Sequence, residues 1–185
     1  MKKFTIIFWT TILISLVLLG CQQTKSLTVS DYSSDDVAAV VRGEEITIED
    51  LRFLYPDDKA LANLDGMVKL KLIEQEAKKM NLDISEKQKI HKEMLQSIME
   101  SDEDSDMRDF IDTQAEKLHM SASEYAEQYA DVRSKLDASL EAYIQEINGD
   151  ADPDENDDEM INHALEQLVK EHEEEIDIRI QENSK

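Results

Sequence analysis

The stretch Leu61–Met80, LANLDGMVKLKLIEQEAKKM, decides the fold that this sequence predicts. Its apolar side chains recur three and four residues apart with polar residues between them, which is the period of an amphipathic α-helix. They are Leu61, Leu64, Met67, Val68, Leu70, Leu72, Ile73, Ala77 and Met80. So broad an apolar face must be covered by several other elements, and the rest of the chain is expected to supply them.

The composition indicates a mostly α-helical protein. Among 185 residues, only 4 are Gly and 2 are Pro, while 41 % are hydrophobic and 5 % are aromatic. Few turn-forming residues, and many Glu, Lys, Gln, Leu and Ala residues, favour long helices. The formal net charge of −23 disfavours nucleic acid, itself a polyanion, as a partner and disfavours lying flat on anionic lipid.

The N-terminal residues indicate export and a lipid anchor. Lys2 and Lys3 precede the apolar run FTIIFWTTILISLVLLG, so residues 1–20 are predicted to be a signal peptide. The following segment, Leu18-Leu19-Gly20-Cys21, resembles the bacterial lipobox, which implies transfer of a diacylglyceryl group to the Cys21 thiol and cleavage before it. We therefore expect a lipoprotein at the extracytoplasmic face of the cell membrane, held by acyl chains such as palmitate. This covalent lipid is the only cofactor expected.

Shifts in composition divide the mature chain into four segments. Residues 21–36 are polar and are predicted to be a flexible tether. Residues 37–148 are predicted to form a helical domain, and residues 149–158 an acidic linker. Residues 159–185 are predicted to form a C-terminal helix and a short strand that pack back on the domain. Because Cys21 is the only cysteine, no internal disulfide is expected.

Two short segments far apart in the chain are predicted to pair as strands. Val37–Val41 is β-compatible and leads into a turn at Gly43, and Glu175–Ile180 alternates polar and apolar residues with the period of a strand. A frayed helix end would also fit that tail. Because an isolated strand leaves its backbone groups unpaired, each segment is the expected partner of the other. The predicted fold class is mostly α, with a small two-stranded β element pairing the N- and C-terminal segments.

Capping-box patterns, in which Ser or Thr is followed three residues later by an acid or amide, mark three predicted helix starts. They begin at Thr47, Ser85 and Ser121. The third opens a long helix that carries the apolar positions from Tyr125 to Ile147 at a 3.6-residue period. This helix is the expected cover of Leu61–Met80.

Three segments in this order resemble the SurA N-terminal domain family. They are Ala39–Thr47 with its turn at Gly43, Leu70–Ser85, and Leu118–Tyr125. The likeness covers residues 37–147, and Arg42 stands where the family's turn has Asn. It implies an extracytoplasmic chaperone that holds unfolded polypeptides, its clients, in an apolar cleft. The residues after Ile147 leave no room for the parvulin prolyl isomerase domain that many members carry, so a non-catalytic holdase is expected.

Clients are expected to be secreted or envelope polypeptides that dock between Leu61–Met80 and the Tyr125–Ile147 helix. The predicted client-binding side chains are Leu64, Met67, Val68, Tyr125, Tyr129 and Leu136. Ordinary core packing would account for the same side chains. The alternative function is a dedicated interaction subunit of an envelope protein complex, which would use this groove for one partner.

No residue pattern predicts catalysis or a metal site. The histidines form no metal-binding array with cysteine or with one another; they are His91, His119, His163 and His172. The acidic runs that start at Asp102 and Asp150 lack the Gly and Glu that a calcium loop needs at its sixth and twelfth positions. The sequence thus predicts no enzyme, no metal and no small-molecule substrate. The expected partners are unfolded polypeptides and, through the lipid, the membrane.

Overall fold

The structure, a computed structural model, describes residues 28–100, 105–148 and 157–180. Within these ranges the helices are α1 Ile48–Leu54, α2 Leu64–Lys79, α3 Ser85–Glu100, α4 Ser105–Lys117, α5 Ala122–Asn148 and α6 Asp157–Glu171. The strands are β1 Val37–Val41, β2 Glu44–Thr47 and β3 Ile176–Ile178. The protein is therefore mostly α-helical with one small sheet, as the sequence predicts.

The sheet joins the two ends of the described chain. Its central strand, β1, pairs antiparallel with β2 on one side and with β3 on the other. Val40 lies opposite Glu45 of β2 and opposite Asp177 of β3. The predicted pairing of the N- and C-terminal segments is confirmed, and the tail is a strand rather than a helix end. The sheet has three strands where the sequence predicts two, because the chain turns back after β1 to form β2.

The helix starts are capped as predicted, with one exception. The Thr47 amide donates to Asp50 Oδ2 over 2.8 Å, and the Asp50 amide donates to Thr47 Oγ1 over 3.1 Å, which forms the capping box of α1. Ser121 Oγ accepts a backbone hydrogen bond at the start of α5. At α3 the predicted cap is wrong, because Ser85 is already helical and its amide donates to Asp83 Oδ1 over 3.0 Å.

The predicted central helix is the middle of the hydrophobic core. Leu61–Asn63 is a 3₁₀ turn, and the α-helix begins at Leu64. The buried apolar side chains of α2 are Leu64, Met67, Val68, Leu72, Ile73 and Ala77. As predicted, α5 packs along α2, while β1 and α6 contact it elsewhere. Most of the broad apolar face is therefore covered.

The packed domain begins before the predicted boundary at residue 37. Val29 is fully buried in the same core as α2. The Ile48 amide donates to the Asp36 carbonyl over 2.9 Å, which ties the segment before β1 to the start of α1. Residues 28–36 therefore belong to the domain, whereas residues 21–27 of the predicted tether lie outside the described residues.

Several other predicted features also lie outside the described residues. They are the signal peptide at residues 1–20, the lipidation site Cys21, and the acidic linker apart from Asp157 and Asp158, which begin α6. None of the helices in the three described ranges has the length and the apolar character needed to cross a membrane.

Candidate functional site

A pocket of about 410 Å³ lies between α2 and α5, the two helices expected to border a client-binding groove. We call it the α2–α5 pocket. Its α2 side is lined by Met67, Lys71 and Glu74, and its α5 side by Gln128, Val132 and Leu136. Because each set recurs three or four residues apart, each helix presents one continuous face to the pocket. Residues of α1 and β2 complete the lining.

Half of the lining of the α2–α5 pocket is apolar. These side chains are Ile46, Phe53, Leu54, Met67, Val132 and Leu136. Most of them are buried or partly buried, whereas Val132 is 40 % exposed and reaches solvent. An apolar side chain that enters this pocket would lose contact with water against several walls at once, which is favourable.

The polar lining is mostly acidic. It consists of Glu45, Glu49, Asp50, Glu74, Lys71 and Gln128. Lys71 Nζ lies 2.7 Å from Glu44 Oε2, outside the pocket lining, and 3.9 Å from Glu74 Oε2. Glu74 also pairs with Lys135. The pocket therefore combines an apolar surface with an excess of negative charge.

Lys71 is the one cation among the described residues that line the pocket. Burial lowers its pKa, but its hydrogen bond to Glu44 and the charges of Glu74 and Asp50 outweigh burial, so the net shift of the pKa is upward. The same hydrogen bond lowers the pKa of Glu44. Lys71 is therefore a charged, ion-paired wall residue rather than a base available for chemistry.

Only some of the predicted client-binding residues line the pocket. Met67 and Leu136 do. Leu64 and Val68 do not; both are buried in the main core around α2, to which Met67 and Leu136 also belong. The period of α2 predicts which side chains turn inward, but it does not distinguish those that meet another side chain from those that border open space.

Tyr125 and Tyr129 do not line the pocket but belong to an aromatic cluster that includes Phe53, one of its lining residues. The Tyr125 ring centroid lies 5.2 Å from that of Phe53 and 5.8 Å from that of Tyr129. The Tyr125 hydroxyl donates to the Phe53 carbonyl over 2.7 Å, and burial raises the pKa of both tyrosines. Since Phe53 also lines the pocket, this cluster holds α1 in place as a pocket wall.

Sequence reasoning missed the α1 and β2 side of the pocket. The apolar positions Leu51 and Leu54 predict the buried face of α1, but the neighbouring Phe53 and Glu49 give no sign that they face a cavity. Val132 could have been found, because it is an apolar position of the long helix one turn before Leu136.

A second polar constellation ties the C-terminal segment to the β1–β2 turn. We call Arg42, Glu76, His172 and Glu175 the C-terminal clamp. Arg42 Nη1 lies 2.5 Å from Glu76 Oε1, and Arg42 Nη2 lies within 2.9 Å of the His172 ring nitrogens. The Arg42 amide donates to the Glu175 carbonyl over 2.8 Å. Burial raises the pKa of Glu76, but hydrogen bonds from Arg42 and Lys79 outweigh it, and the net shift is downward.

The histidines do not gather into a metal site in the part of the chain that the structure describes. No group of three His, Cys, Asp or Glu side chains there could hold a metal ion. His91 Nε2 lies 2.8 Å from Glu141 Oε2, and His172 belongs to the C-terminal clamp. His119, just after the end of α4, and His163, within α6, are both exposed.

Comparisons of the chain with protein-family models, with curated proteins and with solved structures give no match. The candidate site therefore rests on the geometry of the described residues. Among their features, the α2–α5 pocket brings a half-apolar lining together with charged side chains, and we take it as the candidate binding site.

Proposed function

We propose that this protein is a lipid-anchored, extracytoplasmic chaperone that holds unfolded secreted or envelope polypeptides without catalysis. The observation that carries the proposal is the α2–α5 pocket, because its lining between α2 and α5 is half apolar and includes Val132, which is 40 % exposed. The resemblance of the sequence to the SurA N-terminal domain family also supports the proposal, and Cys21 is the residue proposed to carry the lipid anchor.

The chemistry of the pocket suits a holdase. Burying one Val, Leu, Phe or Met side chain contributes about 1.5–3 kcal/mol, so one pocket of this size gives weak and reversible binding. Met67 adds a flexible thioether that adapts to side chains of different shape. Weak, adaptable binding is what a protein needs if it is to hold many sequences and release them.

Val132 is the side chain through which the proposal can be tested with least damage to the fold. It lines the pocket yet is 40 % exposed, so Val132→Gln should remove apolar surface from the site without opening a cavity in the core. Ile147→Gln is the matched control, since Ile147 lies on the same helix, is 43 % exposed and does not line the pocket.

The measurement is light scattering by an unfolded secreted protein as it aggregates, with the mature chain at stoichiometric amounts. The wild type and Ile147→Gln should suppress aggregation equally, and Val132→Gln should suppress it less. Absence of protection by the wild type, or equal protection by Val132→Gln, would count against the proposal.

A dedicated interaction subunit is the second candidate, and the outer face of α3 favours it. Ile90 and Met94 lie one turn apart on that face and are 57 % and 53 % exposed. No side chain among residues 85–99 is fully buried, so α3 rests on α5 with much of its surface open. Chemical crosslinking of the envelope should then yield one partner at fixed stoichiometry rather than many clients. The Met94→Gln variant should lose the crosslink to that partner.

A further inference from the structure

We infer that the α2–α5 pocket selects client segments in which Lys or Arg stands beside apolar side chains. The inference rests on the proposed function and adds the chemical class of the client. Its basis is the pairing of an apolar lining with carboxylates that make no ion pair within the described part of the chain.

Lys71, the cation among the described residues of the pocket lining, is already ion-paired. Lys71 is held by Glu44 at 2.7 Å and lies 3.9 Å from Glu74. Glu74 is in turn paired with Lys135. These ion pairs balance one another, so neither Lys71 nor Glu74 dominates the charge that an incoming segment meets.

The remaining three carboxylates of the lining make no ion pair of their own among the described residues. Glu45 and Glu49 are exposed, and neither makes an ion pair within residues 28–100, 105–148 or 157–180. Asp50 accepts hydrogen bonds from the amide and hydroxyl of Thr47, which are both uncharged donors. All three belong to the β2–α1 side of the pocket. That side therefore presents a negative edge next to the apolar lining.

A Lys or Arg side chain matches both the apolar lining and the negative edge of the pocket. Its aliphatic stem can lie on apolar side chains while its charged head reaches the carboxylates at the edge. Charge complementarity of this kind raises the association rate and discriminates against acidic segments. Phe53 and Val132 supply the apolar part, and Glu45 and Glu49 the charged part.

The overall charge of −23 attracts any basic peptide, so the test must separate the pocket edge from the rest of the surface. The pair Glu45→Gln and Glu49→Gln removes two charges at the pocket. The control pair Asp112→Asn and Glu116→Gln removes two charges from exposed positions of α4 that do not line it. The two double variants carry the same net charge.

The probes are two dye-labelled peptides with identical apolar residues, one with Lys and one with Gln at the intervening positions, and the readout is Kd from fluorescence anisotropy. The wild type and the control pair should bind the Lys peptide about five-fold more tightly than the Gln peptide, as expected for two solvent-accessible ion pairs. The Glu45→Gln, Glu49→Gln variant should bind both peptides alike, and added salt should abolish the preference of the wild type.

Each other outcome overturns a definite part of the inference. Equal binding of both peptides by the wild type leaves the proposed function in place and rejects selection by charge. A preference lost equally in the control pair assigns it to the whole surface rather than to the pocket. No binding of either peptide, in a sample whose circular dichroism shows the folded domain, rejects the inference together with the proposed function.

Discussion

At Arg42 the backbone conformation disfavours arginine, whereas the ion pair made by the side chain favours it. Arg42 and Gly43 have φ values of 50° and 81°, both in the left-handed region, as a two-residue type I′ hairpin turn requires. Asn or Asp would adopt this φ more readily than Arg. The Arg42 side chain, however, reaches the buried carboxylate of Glu76 at 2.5 Å. The ion pair gives a physical reason for Arg at a position where the resembling family has Asn.

Glu76 should make the stability of the domain depend on pH. Its pKa is lower in the folded chain than the ordinary value of 4.5, so its contribution is fully present above about pH 4.5 and is lost as the pH falls through the folded pKa. Glu76→Gln should lower the free energy of unfolding by about 1–2 kcal/mol at pH 7, where it removes a charge-assisted hydrogen bond. Urea unfolding at pH 7 and pH 3 measures both values. If the difference in unfolding free energy between variant and wild type is as large at pH 3 as at pH 7, this role of Glu76 is contradicted.

At the scale of the elements, α5 is the helix that organises the others. It contacts α2, α3 and α4, and it lines the α2–α5 pocket. One of its faces carries small buried side chains four residues apart, namely Ala130, Ser134, Ala138 and Ala142. Small side chains let a neighbouring helix approach closely, which explains how α3 packs along α5 without burying a large side chain of its own.

Ala138→Leu should disturb this close packing. Ala138 is fully buried, so three added carbon atoms would overpack the helix interface and should cost about 1–3 kcal/mol of unfolding free energy. Ala122→Leu is the control, since Ala122 is exposed at the start of the same helix and should change stability by less than about 0.5 kcal/mol. Denaturant unfolding compares the two, and equal stabilities would contradict close packing at this face.

The elements were readable from the sequence to the extent that local physics determines them. The 3.6-residue period of α2 and α5 and the reciprocal cap at Thr47 and Asp50 are local, and the structure confirms them. The pairing of β1 with β3 also followed, because each segment needs a backbone partner. The pocket did not follow, since Phe53 and Val132 become neighbours only when α1 and α5 pack together. The burial of Val29 could not be predicted from the sequence either.

At the scale of the whole molecule, the fold buries apolar side chains in a main core around α2 and in a smaller cluster around Tyr125, and leaves a limited apolar surface open. β1, β3 and the C-terminal clamp bring the two ends of the described chain together. The α2–α5 pocket lies on the other flank of α2, and its surroundings share the negative charge of the chain. We expect that charge to keep a loaded complex soluble, because like-charged complexes repel one another.

The central claim is that clients contact the α2–α5 pocket, and photocrosslinking from a single position tests it most directly. Benzoylphenylalanine in place of Val132 places the crosslinker in the pocket lining, and the same group in place of Ile147 places it on α5 outside the pocket. The mature protein is irradiated with an unfolded secreted client, and the products are separated by electrophoresis. Crosslinked client is predicted from position 132 and not from position 147. Equal crosslinking from both positions, or none from position 132, would contradict the account.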